Sequence, residues 1–168
     1  SIVSSSNVKK IAGHYNLEFT ETLTGFKWLA KIENLTFGYE EALGYAVDSI
    51  TVNDKDGISA AITLAQIATD LAAEGKTVLD LLEDVCARHG FHATEQISIR
   101  LSDLSKVGVI LGGLRSNPPK HIAGRSVTSI DDLASPTDGL PPTDGIRMWL
   151  DGGVRIIIRP SGTEAKMK

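Results

Sequence analysis

One cysteine, Cys86, is all the thiol this chain has. A single cysteine excludes an internal disulfide framework and a thiolate zinc cluster, and it points to a reducing compartment, the cytoplasm. No apolar run reaches the roughly 20 residues that a membrane span needs, and no signal peptide is visible. Positive charge is also scarce: 17 Lys and Arg against 21 Asp and Glu leave a net charge of −4. That balance gives no electrostatic case for nucleic acid or for an anionic membrane, so an anion site has to be local. Metal and nucleotide signatures are missing as well. His14, His89, His92 and His121 are scattered, with no pair at helix-ligand spacing, and read as surface or packing residues. Asp54 and Asp56 with Gly57 suggest a calcium loop, but the glycine would place the first ligand at Val52 and the last at Thr63, both the wrong chemistry. Asp131-Asp132 lacks further metal partners. The Walker A spacing does not occur, and Gly112-Gly113, late in a helical pattern, reads as its end rather than a phosphate cradle. No Ser/His/acid arrangement follows from spacing.

What is present has the texture of a folded protein. The chain is 168 residues long, enough for one large domain or two small ones. Apolar residues at 42% and charged residues at 23% are ordinary for a globular domain. Ile2-Val3 reads as a short strand, and Ser6 or Asn7 caps a helix carrying Val8, Ile11 and Ala12 on one face, ended by Asn16. Residues 17–23 read as a second strand. Thr24-Gly25 turns into a short helix, and Phe37-Gly38-Tyr39 ends a strand that leads into a loop at Glu40-Glu41. Asp54-Lys55-Asp56-Gly57 is a turn before an Ala-rich helix over residues 58–73, where Ala61, Leu64, Ala65, Ile67, Ala68 and Leu71 suit a packed face. Gly75 ends it. Thr77 caps the next helix, and Gly90 closes that one. Cys86, beside Leu82 and Val85, reads as core.

The texture changes near residues 90–95. Residues 91–101 alternate as a strand, and Ser102 or Asp103 caps a helix ending near Arg115. Five of the six prolines then fall between residues 116 and 145, a loop-rich stretch with one strand over residues 126–130. Residues 146–150 and 154–158, joined by Asp151-Gly152-Gly153, make the clearest β-hairpin in the chain. The fold expected is an α/β domain (mixed sheet, three layers) over residues 1–93, then a small α+β domain with an antiparallel sheet over residues 94–168.

That hairpin delivers a polar loop. After Ile156-Ile157-Ile158 comes Arg159-Pro160-Ser161-Gly162-Thr163-Glu164. Pro160 stops the ladder. One guanidinium, two hydroxyls and a glycine that frees backbone amides are donors suited to an anion with several oxygens, phosphate above all; a plain polar turn is the alternative on composition. Two other features carry chemistry. Lys27 lies between Phe26 and Trp28, aromatics able to wall a site. Glu40-Glu41 offers carboxylates that accept from sugar hydroxyls; an exposed acidic turn is the alternative.

Taken in order, Thr24-Gly25-Phe26-Lys27-Trp28, then Gly38-Tyr39-Glu40-Glu41-Ala42-Leu43-Gly44-Tyr45, then Asp54-Lys55-Asp56-Gly57, then Arg159-Pro160-Ser161-Gly162-Thr163-Glu164 resemble the α-D-phosphohexomutases, the phosphoglucomutases and phosphomannomutases. The resemblance runs the length of the chain. It implies a four-domain enzyme around a central cleft that moves phosphate between the two ends of a hexose, or of a pentose, through a bisphosphorylated sugar. This chain resembles the later part of domain three and most of domain four. Nothing in it matches the family's phosphoserine loop or aspartate-rich Mg²⁺ loop, so the expectation is a fragment without its N-terminal domains and without turnover alone, no catalytic residue and no metal ligand of its own. The rival expectation is a stand-alone sugar-phosphate binding or regulatory module. By resemblance Arg159, Ser161, Gly162 and Thr163 grip the non-reacting phosphate, Glu40 accepts from sugar hydroxyls, and Lys27 helps bind substrate. Two departures stand out. Ala42 replaces a Ser found in many members, which unsettles sugar preference, and Ala165 replaces a frequent Pro beyond the donor set.

Overall fold

A computed structural model describes residues 1–41, 43–103, 105–161 and 165–168. The chain divides into two compact units, Ser1–Thr94 and Glu95–Lys168. The first is an α/β unit, the second a small α+β unit on an antiparallel sheet.

The first unit opens with α1 (Asn7–His14). Ser6 occupies the N-cap without a side-chain bond; the neighbouring Ser5 hydroxyl instead accepts from the Asn7 N–H at 3.1 Å. The helix ends where Asn16 turns to φ +55°, a conformation asparagine tolerates. A short α2 (Phe26–Leu29) precedes a hairpin of β1 (Gly38–Glu40) and β2 (Gly44–Ala46), paired Gly38 with Ala46, Tyr39 with Tyr45 and Glu40 with Gly44. Phe26, Leu29 and Ala46, with Leu35, form the small core beneath it. Next come α3 (Gly57–Ala73) and α4 (Val78–His89), with ends where the sequence marks them. The Asp56 carboxylate accepts from the Ile58 and Ser59 N–H groups, which satisfies two of the orphan donors at the helix start. Thr77 and Asp80 close a capping box ahead of α4.

Four expectations for this unit need correction. Ile2-Val3 and residues 17–23 are not strands. Ile2 is buried and its N–H donates to the Thr22 carbonyl at 2.8 Å, but one bond is not a ladder, and strand geometry is stabilised by consecutive pairs. The packed face expected of α3 is not packed. Neither α3 nor α4 has a buried residue, and Ile62 is 66% and Leu64 55% exposed. Cys86 is half-buried rather than core. An apolar stripe needs an opposing surface, and the sheet here is two strands of three residues each.

The second unit has that surface. After β3 (Ile99–Arg100) comes α5 (Ser105–Ser116), started by the Asp103 carboxylate, which accepts from both the backbone N–H and the hydroxyl of Ser105. Then follow β4 (His121–Ile122), β5 (Arg125–Asp132), β6 (Ile146–Leu150), β7 (Val154–Ile158) and β8 (Lys166–Met167). Strands β4-β5-β6-β7 form an antiparallel sheet in sequence order; β3 pairs with β8, and a Pro160–Met167 bridge ties the end of β7 to β8. Every second residue of β6, Ile146, Met148 and Leu150, is buried with Leu111 of α5 and Met167 of β8 in one apolar core, while Arg147 is buried on the opposite face. The Gly152-Gly153 turn needs its glycines: both have φ near +80° (79° and 75°), and a Cβ on Gly152 would lie 2.7 Å from the Arg125 guanidinium.

Here too the structure departs from the sequence reading. The strand expected over residues 91–101 shrinks to Ile99–Arg100. Helix α5 runs through Gly112-Gly113 to Ser116, because buried Leu111 pins that turn to the sheet and packing outweighs the helix cost of two glycines. The two-residue strands β4 and β8 carry too few positions for a periodicity to show.

Candidate functional site

Within the first unit the fold ties Glu40 to Gly25, two residues before Lys27. Gly25, at φ +107°, caps α2 and turns its N–H onto Glu40 Oε1. Only glycine takes that backbone readily. The same hairpin seats Gly44 against the Phe26 ring, where an added Cβ would lie 2.4 Å from Cε2. Glu40 is thus held by Gly25 at the start of α2, while its pairing partner Gly44 sits on the Phe26 ring, and its Oε2 has no partner among the described residues. Further out, the Ser4 hydroxyl donates to Glu41 Oε2 at 2.7 Å and the Tyr39 hydroxyl to the Ser5 carbonyl at 3.1 Å. The bend between the strands carries Leu43, exposed and at φ +60°, an uncommon conformation for a bulky side chain. Ala42 lies outside the described residues. Lys27 is exposed, with Nζ 5.7 Å from the Trp28 ring centroid; Lys31 lies 4.6 Å from the same ring and Lys55 5.4 Å from that of Phe26. Three ammonium groups therefore crowd the aromatic wall that the sequence suggested around Lys27 alone.

In the second unit the terminal loop is closed at its base. Arg159 and Lys168 exchange both backbone hydrogen bonds, at 3.0 and 2.9 Å, and the Ser161 N–H donates to the Lys166 carbonyl at 2.8 Å. Leu101 N–H takes the Ala165 carbonyl at 2.8 Å. Arg159 and Ser161 are half-buried. Gly162 and Thr163, the other two expected phosphate ligands, lie outside the described residues, as does Glu164.

The Asp131-Asp132 pair, which lacks metal partners in the sequence, is engaged by arginines. Asp131 and Asp132 are adjacent on β5 and point to opposite faces, so each meets a different arginine. Arg147, 6% exposed, donates to Asp131 at 2.9 Å and to Asp138 at 2.6 Å. Arg115 forks onto Asp132 at 2.9 and 3.0 Å and reaches Asp144 at 2.8 Å. The Arg147 bond holds the Asp138 carboxyl below the ordinary carboxylate range, and the Arg115 bond does the same for Asp132. Sequence reading missed both networks, since partners 9 to 29 residues apart leave no local signal. It also scattered the histidines; His14 and His89, each the last residue of its helix, lie with ring centroids 5.2 Å apart, and Lys10 Nζ donates to the His89 carbonyl.

Known proteins are similar to this sequence. A family described as "Phosphoglucomutase/phosphomannomutase, alpha/beta/alpha domain III" matches residues 1–89. The chain belongs to the phosphoglucomutase/phosphomannomutase family. A protein named "Probable phosphomannomutase" from Haemophilus influenzae is 46% identical over 168 residues, covering all of this chain and 34% of the relative. A "Phosphoglucomutase" from Staphylococcus aureus (strain USA300) is 35% identical over 189 aligned positions, again with full cover of this chain and 34% of its own. The chain thus spans about a third of the length of the curated relatives it matches.

Family membership raises the question of magnesium. Among the described residues no three His, Cys, Asp or Glu side chains gather where one ion would hold them. Asp131, Asp132, Asp138 and Asp144 are ion-paired with Arg147 and Arg115. The described residues therefore do not fit a magnesium centre. No helix among them is long and apolar enough to cross a membrane.

Proposed function

We propose that this chain is the sugar- and phosphate-holding part of a phosphohexomutase, an intramolecular phosphotransferase that interconverts hexose 1-phosphate and hexose 6-phosphate through a hexose bisphosphate. In this reading the first unit is the later part of domain three and the second unit most of domain four. The observation that carries it is the loop after β7: Arg159 and Ser161 stand at the neck of a backbone-closed turn, in a chain whose preceding residues match domain III of the family.

The work assigned to the chain is binding. Arg159 offers a planar fork for phosphate oxygens, and Ser161, with Thr163 and the amide of Gly162, short neutral donors. These grip the phosphate that is not reacting. Glu40, one oxygen anchored by the Gly25 N–H, presents the other to sugar hydroxyls. Anchoring fixes the carboxylate before substrate arrives, so little ordering is left to do on binding. Lys27 adds positive charge near the same corner. Holding a sugar at both its hydroxyls and its distal phosphate is how an enzyme turns binding into orientation of the reacting end. Phosphoryl transfer itself needs an in-line nucleophile and charge neutralisation, and these are assigned to the sequence that the longer relatives carry outside the matched third.

Calorimetry of the 168-residue chain with glucose 6-phosphate tests this. Weak binding is expected, and Arg159→Ala is expected to lower the affinity by about tenfold or more. Equal affinities for the two proteins would reject the reading.

A further inference from the structure

Gly145 stands just before β6, between the ends of β5 and β7. Ile146 pairs with Asp132 on one side and with Ile158 on the other. One step back along β6, Gly145 therefore faces Leu133 and Arg159, and the Leu133 N–H donates to its carbonyl at 3.0 Å. Gly145 is buried, with φ at +155°, a backbone that residues with a side chain rarely adopt. A Cβ there would lie 3.0 Å from the Ile158 carbonyl oxygen, 3.2 Å from Arg159 Cβ and 3.4 Å from Leu133 Cδ1. Side chains directly opposed across an antiparallel ladder ordinarily keep their Cβ atoms about 4.5–5.5 Å apart. The root of Arg159 thus leans into the space that a side chain at residue 145 would take.

That space is held from both flanks. Asp144 accepts from Arg115 at 2.8 Å, the same guanidinium that forks onto Asp132 of β5. Arg147, two residues beyond Gly145, is buried and donates to Asp131 and Asp138. These ion pairs have no part in the binding work assigned above, yet they pin residues 144–147 to β5 at the point where Arg159 leaves the ladder. We propose that Gly145 is a positioning residue for phosphate binding: its missing side chain sets where the Arg159 side chain starts from, and the Arg115–Asp144 pair keeps the glycine in place. The inference rests on the reading of Arg159 as a phosphate ligand. Of the three neighbours, Leu133 is 1% exposed and Ile158 belongs to a paired strand. A methyl group at residue 145 is therefore relieved by moving Arg159. A guanidinium holds phosphate through directional bonds, so displacing its root costs affinity.

Two measurements on variants of the 168-residue chain test this together: calorimetry with glucose 6-phosphate, and the NMR signal of the Arg159 Nε–H without ligand. Gly145→Ala is expected to weaken binding by about fivefold to tenfold and to shift the Arg159 signal. Gly124→Ala controls for backbone strain, since φ is +77° there and nothing stands within 4 Å of an added Cβ. It is expected to lower the melting temperature, to bind within about twofold of the parent and to leave the Arg159 signal unmoved. Asp144→Ala is expected to weaken binding by about threefold, although losing a negative charge would by Coulomb's law alone favour an anion. Affinity of Gly145→Ala within about twofold of the parent would overturn the proposal. So would an equal loss in Gly124→Ala, which would reveal general loosening, or a loss in Gly145→Ala with the Arg159 signal unmoved. If Gly145→Ala does not fold, Asp144→Ala decides, and binding at or above the parent's strength overturns the proposal. Arg159→Ala separates the two levels. Lost binding there with intact binding in Gly145→Ala removes only the positioning role; full binding in Arg159→Ala removes the loop reading itself.

Discussion

The two units use the same vocabulary of apolar residues to opposite effect. In the second, alternate residues of β6 meet Leu111 and Met167 and are almost wholly excluded from solvent. In the first, α3 carries as regular an apolar stripe, yet Ile58, Ile62 and Leu64 stand in solvent. Periodicity declares which face of an element would pack; whether anything is there to pack against is a property of the surrounding chain. Burial, not hydrophobic content, is what stabilises.

The largest effect that sharpens this contrast is a truncation in each unit. Met148→Ala, at a fully buried position, is expected to cost about 2–5 kcal/mol. Ile62→Ala on α3 is expected to change stability by no more than about 0.5 kcal/mol. Urea unfolding followed through the two tryptophans, Trp28 in the first unit and Trp149 in the second, reads both. Comparable losses would mean that α3 is packed after all.

A smaller contrast lies within the first unit, between two glycines. Gly44→Ala pushes a methyl into the Phe26 ring and is expected to cost about 1–3 kcal/mol. Gly13→Ala in α1 meets open space and is expected to stabilise by about 0.5–1 kcal/mol. Thermal melts of the two variants moving in the same direction would contradict the close seating of the hairpin on α2.

The smallest expected effect is one of pH. Burial, with the neighbouring charges of His14, Arg88 and Lys10, pushes the His89 imidazole below its ordinary value of 6.5. A depressed folded value means that the unfolded chain binds the proton more readily. The stability tied to this group is therefore present above about pH 6.5 and fades as pH falls through the lower folded value. Protection factors of the α1 and α4 amides, which divide out the intrinsic slowing of exchange in acid, are expected to fall on acidification from pH 7.5 to 5.5, and His89→Gln to flatten that response. An unchanged response in His89→Gln would move the effect elsewhere.

Legibility followed the range of the interaction. The Thr77–Asp80 capping box, the Asp56 cap, the Gly152-Gly153 turn and the hairpin around it are closed by residues within a few positions of one another, and each is written in the sequence. The motif around Arg159 and the pair Lys27 and Glu40 were legible as residue types in order, and that was enough for the family. What stayed hidden needed partners far along the chain: Gly25 on Glu40, Arg147 between Asp131 and Asp138, His14 beside His89.

By itself the sequence determined the turns, the caps, the main helices and the β6–β7 hairpin, because local backbone preferences and side-chain chemistry need no distant partner. Only the tertiary structure decided that Gly145 stands against Arg159 and that one apolar stripe is buried while another is not. Register and burial are relations between segments, settled by which surfaces meet when the chain has folded.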